Sequence, residues 1–93
     1  MRVAFTSRDW EDYLHWQSTD RTILKRVNRL IDDIMRSPFD GIGKPEPLRH
    51  TLAGAWSRRI TDEHRLVYVV DDDPRDPNVA TVTVLTCRYH YNQ

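Results

Sequence analysis

Ninety-three residues are too few for two ordinary domains, so 1–93 reads as one folding unit. Three Trp, four Tyr and two Phe supply large rings to a core that must be modest at this size. Fourteen basic and fourteen acidic residues leave no net charge, which excludes a uniformly basic protein that slides along nucleic acid.

Met1–Phe5 alternates weakly and predicts a short strand, without the apolar stretch of a signal peptide. Ser7 is placed to cap a helix running to about Thr19, with Asp9, Glu11 and Asp12 in its first turns to complement the dipole. Trp10, Tyr13, Leu14 and Gln17 share one face of it. Asp20 caps a second helix, in which Ile23, Val27, Leu30, Ile31 and Ile34 recur at helical spacing. Ser37-Pro38 ends it, because a residue before proline avoids helical geometry.

Residues 40–47 are rich in Gly and Pro and predict an ordered loop. Short strands follow at Leu48–Leu52 and Ala55–Ile60, joined by a turn at Ala53-Gly54. After a tight turn at Thr61–His64, Leu66–Val70 is apolar on both faces and predicts a central strand. Asp71–Asn78, with two prolines, predicts an exposed loop, and Val79–Arg88 a β-branched strand running toward the C-terminus. The order β-α-α-β-β-β-β is that of an α+β layer: a mostly antiparallel sheet with two N-terminal helices on one face. No run of about 18 apolar residues exists to cross a membrane. Cys87 is the only cysteine, so no internal disulfide can form, which fits a cytoplasmic location.

Charge is unevenly spread. Residues 44–65 hold five basic side chains (Lys44, Arg49, Arg58, Arg59, Arg65) against three acidic, whereas the last third is acidic through Asp71, Asp72, Asp73 and Asp76. The middle third is therefore the electropositive part, suited to a specifically docked anion. An antiparallel register that sets odd positions opposite even ones puts Arg65, Arg88 and His90 on one face near one end of the last hairpin; a bulge would break that parity. Glu46 lies between Pro45 and Pro47, which hold it extended. A carboxylate, an imidazole and guanidinium groups are the parts needed to cleave RNA through its own 2′-hydroxyl: a base, an acid, and cations for the charge on the phosphorane. The same residue types are equally those of a loop, a strand end and a solvated basic face, and the pattern alone does not choose.

Other chemistries are excluded more firmly. His15, His50, His64 and His90 lack paired metal-ligand spacing, and Cys87 lacks a CxxC partner, so no metal cofactor is expected. Gly41-Ile42-Gly43-Lys44 lacks the spacing of a phosphate loop, and neither Ser37 nor Ser57 sits in a G-x-S-x-G setting.

Several segments carry a family resemblance: Trp10–Gln17, Ser37–Leu48 with its G-K-P-E-P-L, Gly54–Ile60 with W-S-R-R-I, Glu63–Tyr68 with E-H-R-L-V-Y, and Cys87–Tyr91. Together they resemble the YoeB/Txe toxins of the RelE-like group of bacterial toxin–antitoxin systems, over nearly the whole chain and without gaps until Val70. The resemblance implies a microbial-ribonuclease-like fold and a ribosome-dependent endoribonuclease that cuts mRNA in the A site, without a cofactor. It also implies a YefM-type antitoxin as partner, and admits a homodimer that the sequence does not resolve. By matching position, Glu46 is implied as general base, His90 as general acid and Arg65 as the cation on the phosphate, with Tyr91 beside the catalytic His. Lys44, Arg49, Arg59 and Arg88 are implied RNA- or ribosome-binding cations. Asp71–Asn78 is longer than the family's usual turn and is expected to alter surface contacts only; Asn92 and Gln93 extend past the tyrosine with which the family ends. The alternative readings are a non-enzymatic inhibitor on the same scaffold, of the gyrase-binding type, and an RNA-binding module; neither needs a placed Glu and His.

Overall fold

The computed structural model describes residues 1–73 and 75–90, with only the backbone of Asp73 and Pro77. Helix α1 spans Ser7–Thr19, with its cap one residue before the one expected: Thr6, not Ser7, accepts the Asp9 N–H at 3.0 Å. The Thr6 hydroxyl also donates to the Leu85 carbonyl at 2.7 Å, so the cap ties the helix start to a strand. Asp20 closes α1 through its own N–H to Trp16 and opens α2 (Arg21–Arg36) by accepting from Thr22 and Ile23. Such a cap is worth about 1 kcal/mol. The inward stripe of α2 is the expected one, with Val27, Leu30, Ile31 and Ile34 buried, each worth roughly 1.5–3 kcal/mol.

The inward face of α1 is not the expected one. Asp9, Asp12 and Trp16 are buried, whereas Trp10 and Leu14 are 49% and 42% exposed. Hydrogen bonding explains the rotation. Asp12 accepts from the Thr86 hydroxyl and the Cys87 N–H, and the Trp16 indole donates to the Cys87 carbonyl, so polar groups at the end of a strand select the face that apolar spacing did not.

The strands are β1 (Arg2–Phe5), β2 (Glu46–Pro47), β3 (Trp56–Arg59), β4 (Arg65–Asp73) and β5 (Asp76–Thr86), in the sheet order β1-β5-β4-β3-β2. Only β1 runs parallel to its neighbour, β5. β4 is central, and its two apolar faces serve two clusters. Leu66 and Tyr68 join Val82, Val84, Ile60 and the helices, while Val67 packs with Leu48 and Ala55 on the far side.

Three expectations are corrected. Leu48–Leu52 is not a strand: pairing stops at Pro47, and His50–Leu52 forms a 3-10 turn entered through a positive φ at His50. The long loop expected at Asp71–Asn78 is mostly strand, since Asp71 and Asp72 pair with Thr81 and Ala80. Backbone pairing overrides the loop-like composition because aspartate side chains on a ribbon that projects past the core still reach water. Pro77 falls in the register shift next to Asp73, where a missing N–H costs the ladder nothing. Finally, β5 ends at Thr86 rather than Arg88.

Candidate active site

β2 and β3 set Glu46 opposite Ser57, and β3 and β4 set Ser57 opposite Val67 and Arg59 opposite Arg65. Opposed residues point to the same side, so Glu46, Ser57, Arg59 and Arg65 share the face turned away from the helices. Two residues of strand, about 7 Å, separate the Glu46 row from the arginine row. Lys44, Glu46, Ser57, Arg59 and Arg65 line one shallow hollow of about 90 Å³. Three cations stand against one carboxylate, so the hollow is electropositive.

Local chemistry builds each wall. Gly43 has φ +80, and a Cβ there would press on Leu30 and on the Arg59 carbonyl. This close approach lets the Gly43 carbonyl accept the Arg59 N–H at 2.7 Å and lays the segment beside β3. Lys44 follows with φ +51, a left-handed conformation uncommon outside glycine. Arg65 anchors Nη1 in the 61–64 turn by donating to the carbonyls of Thr61 (2.5 Å), His64 (3.0 Å) and Asp62 (3.3 Å).

His90 arrives after β5 has ended. Its Nε2 meets the Asp62 carbonyl at 2.7 Å, and because a carbonyl only accepts, that nitrogen is the donor. The same carbonyl takes Arg65, so imidazole and guanidinium meet at one acceptor, and the Asp62 carboxylate lies 3.9 Å from Arg59. His90 thus stands beside Arg65.

Of the expected site residues, the fold brings Lys44, Glu46, Arg59 and Arg65 together and sets His90 beside them. Arg49 is exposed next to the buried Leu48 and does not line the hollow. Arg88 does not share Arg65's surroundings: its guanidinium lies 4.6 Å from the Tyr89 ring centre and 5.9 Å from that of Trp16, on the helix side. The end of pairing explains this. Beyond the extra residue Leu85, Val67 opposes Thr86 and odd positions still face even ones, but β5 stops at Thr86, short of Arg88, and Tyr89 turns the chain through φ +69. Tyr91 lies outside the described residues.

Arg58, counted above among the surface cations, is fully buried. All five of its donor hydrogens have acceptors: the Asp33 carboxylate at 2.5 Å, the carbonyls of Ile42, Ser37 and Asp40, and the Tyr68 hydroxyl. Tyr68 in turn donates to the Pro38 carbonyl. Hydrogen bonds from Ile42 and Arg58 hold the Asp33 carboxyl below the usual carboxylate range. This guanidinium ties down the loop leading to Lys44 and Glu46. The signal was present in Arg58-Arg59, since neighbours on a strand face opposite ways and one of the two had to point inward.

Among the described residues, one group has metal-ligand types close together: Asp9, Asp12 and Cys87, buried, with ligand atoms within 4.8 Å of one another. Burial pushes both the Asp9 acid and the Cys87 thiol up, so both favour their protonated forms. A larger depression of about 510 Å³ lies over Phe5, Thr6, Ser7, Trp10 and Glu11. It offers one carboxylate and no cation or imidazole.

A family model described as a YoeB-like toxin of bacterial type II toxin–antitoxin systems matches residues 5–91. Toxin YoeB of Escherichia coli (strain K12) is 53% identical over 91 residues, 98% of this chain and all of that protein. Among solved structures, the YoeB/ParE toxin from Agrobacterium tumefaciens superposes with a TM-score of 0.90 at 45% identity, over 98% of this chain and 100% of that one. A YoeB dimer from Staphylococcus aureus gives 0.84 at 40% identity, and a chain of that organism's heterotetrameric YoeB–YefM toxin–antitoxin complex gives 0.83 at 40%, each over 98% of both chains. Fold and hollow together define a small α+β toxin of the RelE-like type. Within that class, the chain belongs to the YoeB-like toxin family of bacterial type II toxin–antitoxin systems.

Proposed function

We propose that this toxin is an endoribonuclease that cleaves mRNA in the ribosomal A site by metal-independent acid–base catalysis. The observation that supports the reading is a hollow lined by Glu46, Lys44, Arg59 and Arg65, with His90 meeting Arg65 at the Asp62 carbonyl. Glu46 removes the proton of a ribose 2′-hydroxyl, whose oxygen attacks the adjacent phosphorus. The bond to the 5′-oxygen breaks, His90 gives that oxygen a proton, and one fragment keeps a cyclic phosphate while the other starts with a 5′-hydroxyl. Arg65, with Arg59 and Lys44, holds the charge that builds on the phosphorane. Arg49 and Arg88, outside the hollow, are left to contact RNA or ribosome, and Tyr91 to flank the general acid.

The smallness of the hollow argues for the ribosome. A groove of about 90 Å³ cannot grip much RNA on its own, so something else must hold the strand in an attack-ready geometry. Such ordering is worth up to about 7–11 kcal/mol. Ribosomes and mRNA make the cytoplasm its place of action. A cation-lined hollow must be covered in the producing cell, and a YefM-type antitoxin is the partner we assign to it, as in the S. aureus complex. A homodimer is the matching free state, since a relative was solved as one.

The test is primer-extension mapping of mRNA ends after adding purified protein to a bacterial translation system. Discrete new ends are expected, and none with Glu46→Gln. Translation arrest without new ends would overturn the nuclease reading.

A further inference from the structure

The Glu63-His64 pair of the 61–64 turn sits against the segment that carries His90. That segment leaves the sheet through Tyr89, whose φ of +69 is rare for a bulky side chain. The strained residue is bracketed on both sides. Its N–H donates to His64 Nδ1 at 2.8 Å, and its carbonyl accepts the Arg65 N–H at 3.1 Å. The His64 ring is seated edge-on against buried Trp16, with centroids 4.7 Å apart, and leans on the Tyr89 ring at 5.9 Å. The next residue is His90, already on the Asp62 carbonyl shared with Arg65.

Nδ1 can accept only from a neutral ring whose proton is on Nε2. Glu63 favours that tautomer, its carboxylate lying 4.0 Å from Nε2. The other titratable or charged groups facing the ring are His15 on α1, and Arg88 and His90 on the C-terminal segment. Burial first, then these three basic neighbours, favour the neutral form; only the exposed Glu63 opposes.

We propose that His64 is a positioning residue: by accepting the Tyr89 N–H, its neutral ring holds the left-handed turn that delivers His90 to the Arg65 end of the hollow, and its protonation releases that turn. A protonated ring would present N–H to N–H, and the bracket would open. The catalytic consequence rests on the nuclease reading; the bracket itself does not.

The test therefore has one arm without RNA. In 15N-labelled protein at about pH 7.5, long-range spectra should show the Nε2–H tautomer of His64 and a through-hydrogen-bond coupling between Tyr89 N and His64 Nδ1. The coupling should vanish on acidification, with a midpoint below the ordinary 6.5, while exchange of the Tyr89 amide rises at least about tenfold. His64→Asn, whose Oδ1 takes the place of Nδ1 and does not titrate, should keep that amide protected across the range. His64→Ala should lose the protection at every pH. In ribosomal cleavage assays His64→Ala should lower kcat about 10–100-fold with little change in KM, and His64→Asn should recover most of it. A proton on Nδ1 at about pH 7.5, or unchanged Tyr89 protection in His64→Ala, would overturn the proposal. Full activity in Glu46→Gln would instead remove the nuclease reading and leave the bracket standing.

Discussion

Two carboxylates in this chain have opposite surroundings, and each yields a measurable consequence. Glu46 is exposed, extended by its flanking prolines, and shares its hollow with three cations. Glu46→Gln and His90→Ala should each lower ribosomal cleavage at least about 100-fold. Because both side chains are exposed, thermal melts should change little, by roughly 0.5 kcal/mol or less. Near wild-type cleavage by either variant would remove that residue from its role. Asp9 is buried instead, against Asp12 and Cys87, and desolvation first, then the Asp12 charge, raises its pKa to about 6 against the Cys87 contact. The sign follows from the raised value. The folded state holds this proton more tightly than the unfolded chain, so the contribution is complete below about 3.8 and is lost as pH rises to about 6. Between those limits wild type should fall behind Asp9→Asn by about 1–3 kcal/mol, readable as diverging urea midpoints. Parallel curves would mean that Asp9 is not the group titrating. The extended placing of Glu46 was legible because a residue between prolines is pinned locally. Asp9 was not, because a helix-start aspartate looks the same whether it faces water or a core.

At the scale of elements, the loop from Ser37 to Ile42 is tied to the strands mainly by Arg58, which donates to three of its carbonyls, with Tyr68 donating to a fourth. Arg58→Met should cost about 3–5 kcal/mol, because it leaves Asp33 and several carbonyls without their donor. Arg58→Lys, with three donors on a flexible stem, should recover only part. Chemical denaturation measures both, and a loss under 1 kcal/mol for the Met variant would show that the loop stands without the tether. Cleavage should fall as well, since Lys44 and Glu46 continue the same loop. Helix limits were legible, because caps and the Ser37-Pro38 stop act within a few residues. Strand limits were less so. Past the extra residue at Leu85 odd positions still oppose even ones, but pairing stops at Thr86, so Arg88 never reaches Arg65's face, and where a strand stops pairing leaves no mark in composition.

Across the whole molecule, one sheet keeps its two faces separate. Helices and most of the core occupy one, while Glu46, Arg59 and Arg65 occupy the other beside a small apolar cluster. The hollow on the second face holds only about 90 Å³, so on the nuclease reading cleavage should be strong in a translating extract and weak on the same mRNA without ribosomes. Equal rates would count against ribosome dependence. What the sequence by itself determined were features that act within a few residues: the two helices, the Asp20 cap between them, the extended Glu46, the two-faced central strand and the family motifs. The tertiary structure alone decided which side of α1 turned inward, which of two adjacent arginines was buried, how far the acidic ribbon stayed paired, and where Arg88 went. Those outcomes depend on hydrogen bonds and register between segments far apart in the chain. The partner that satisfies a buried Asp12 or Arg58 is absent from the residues around it, and only the folded chain supplies it.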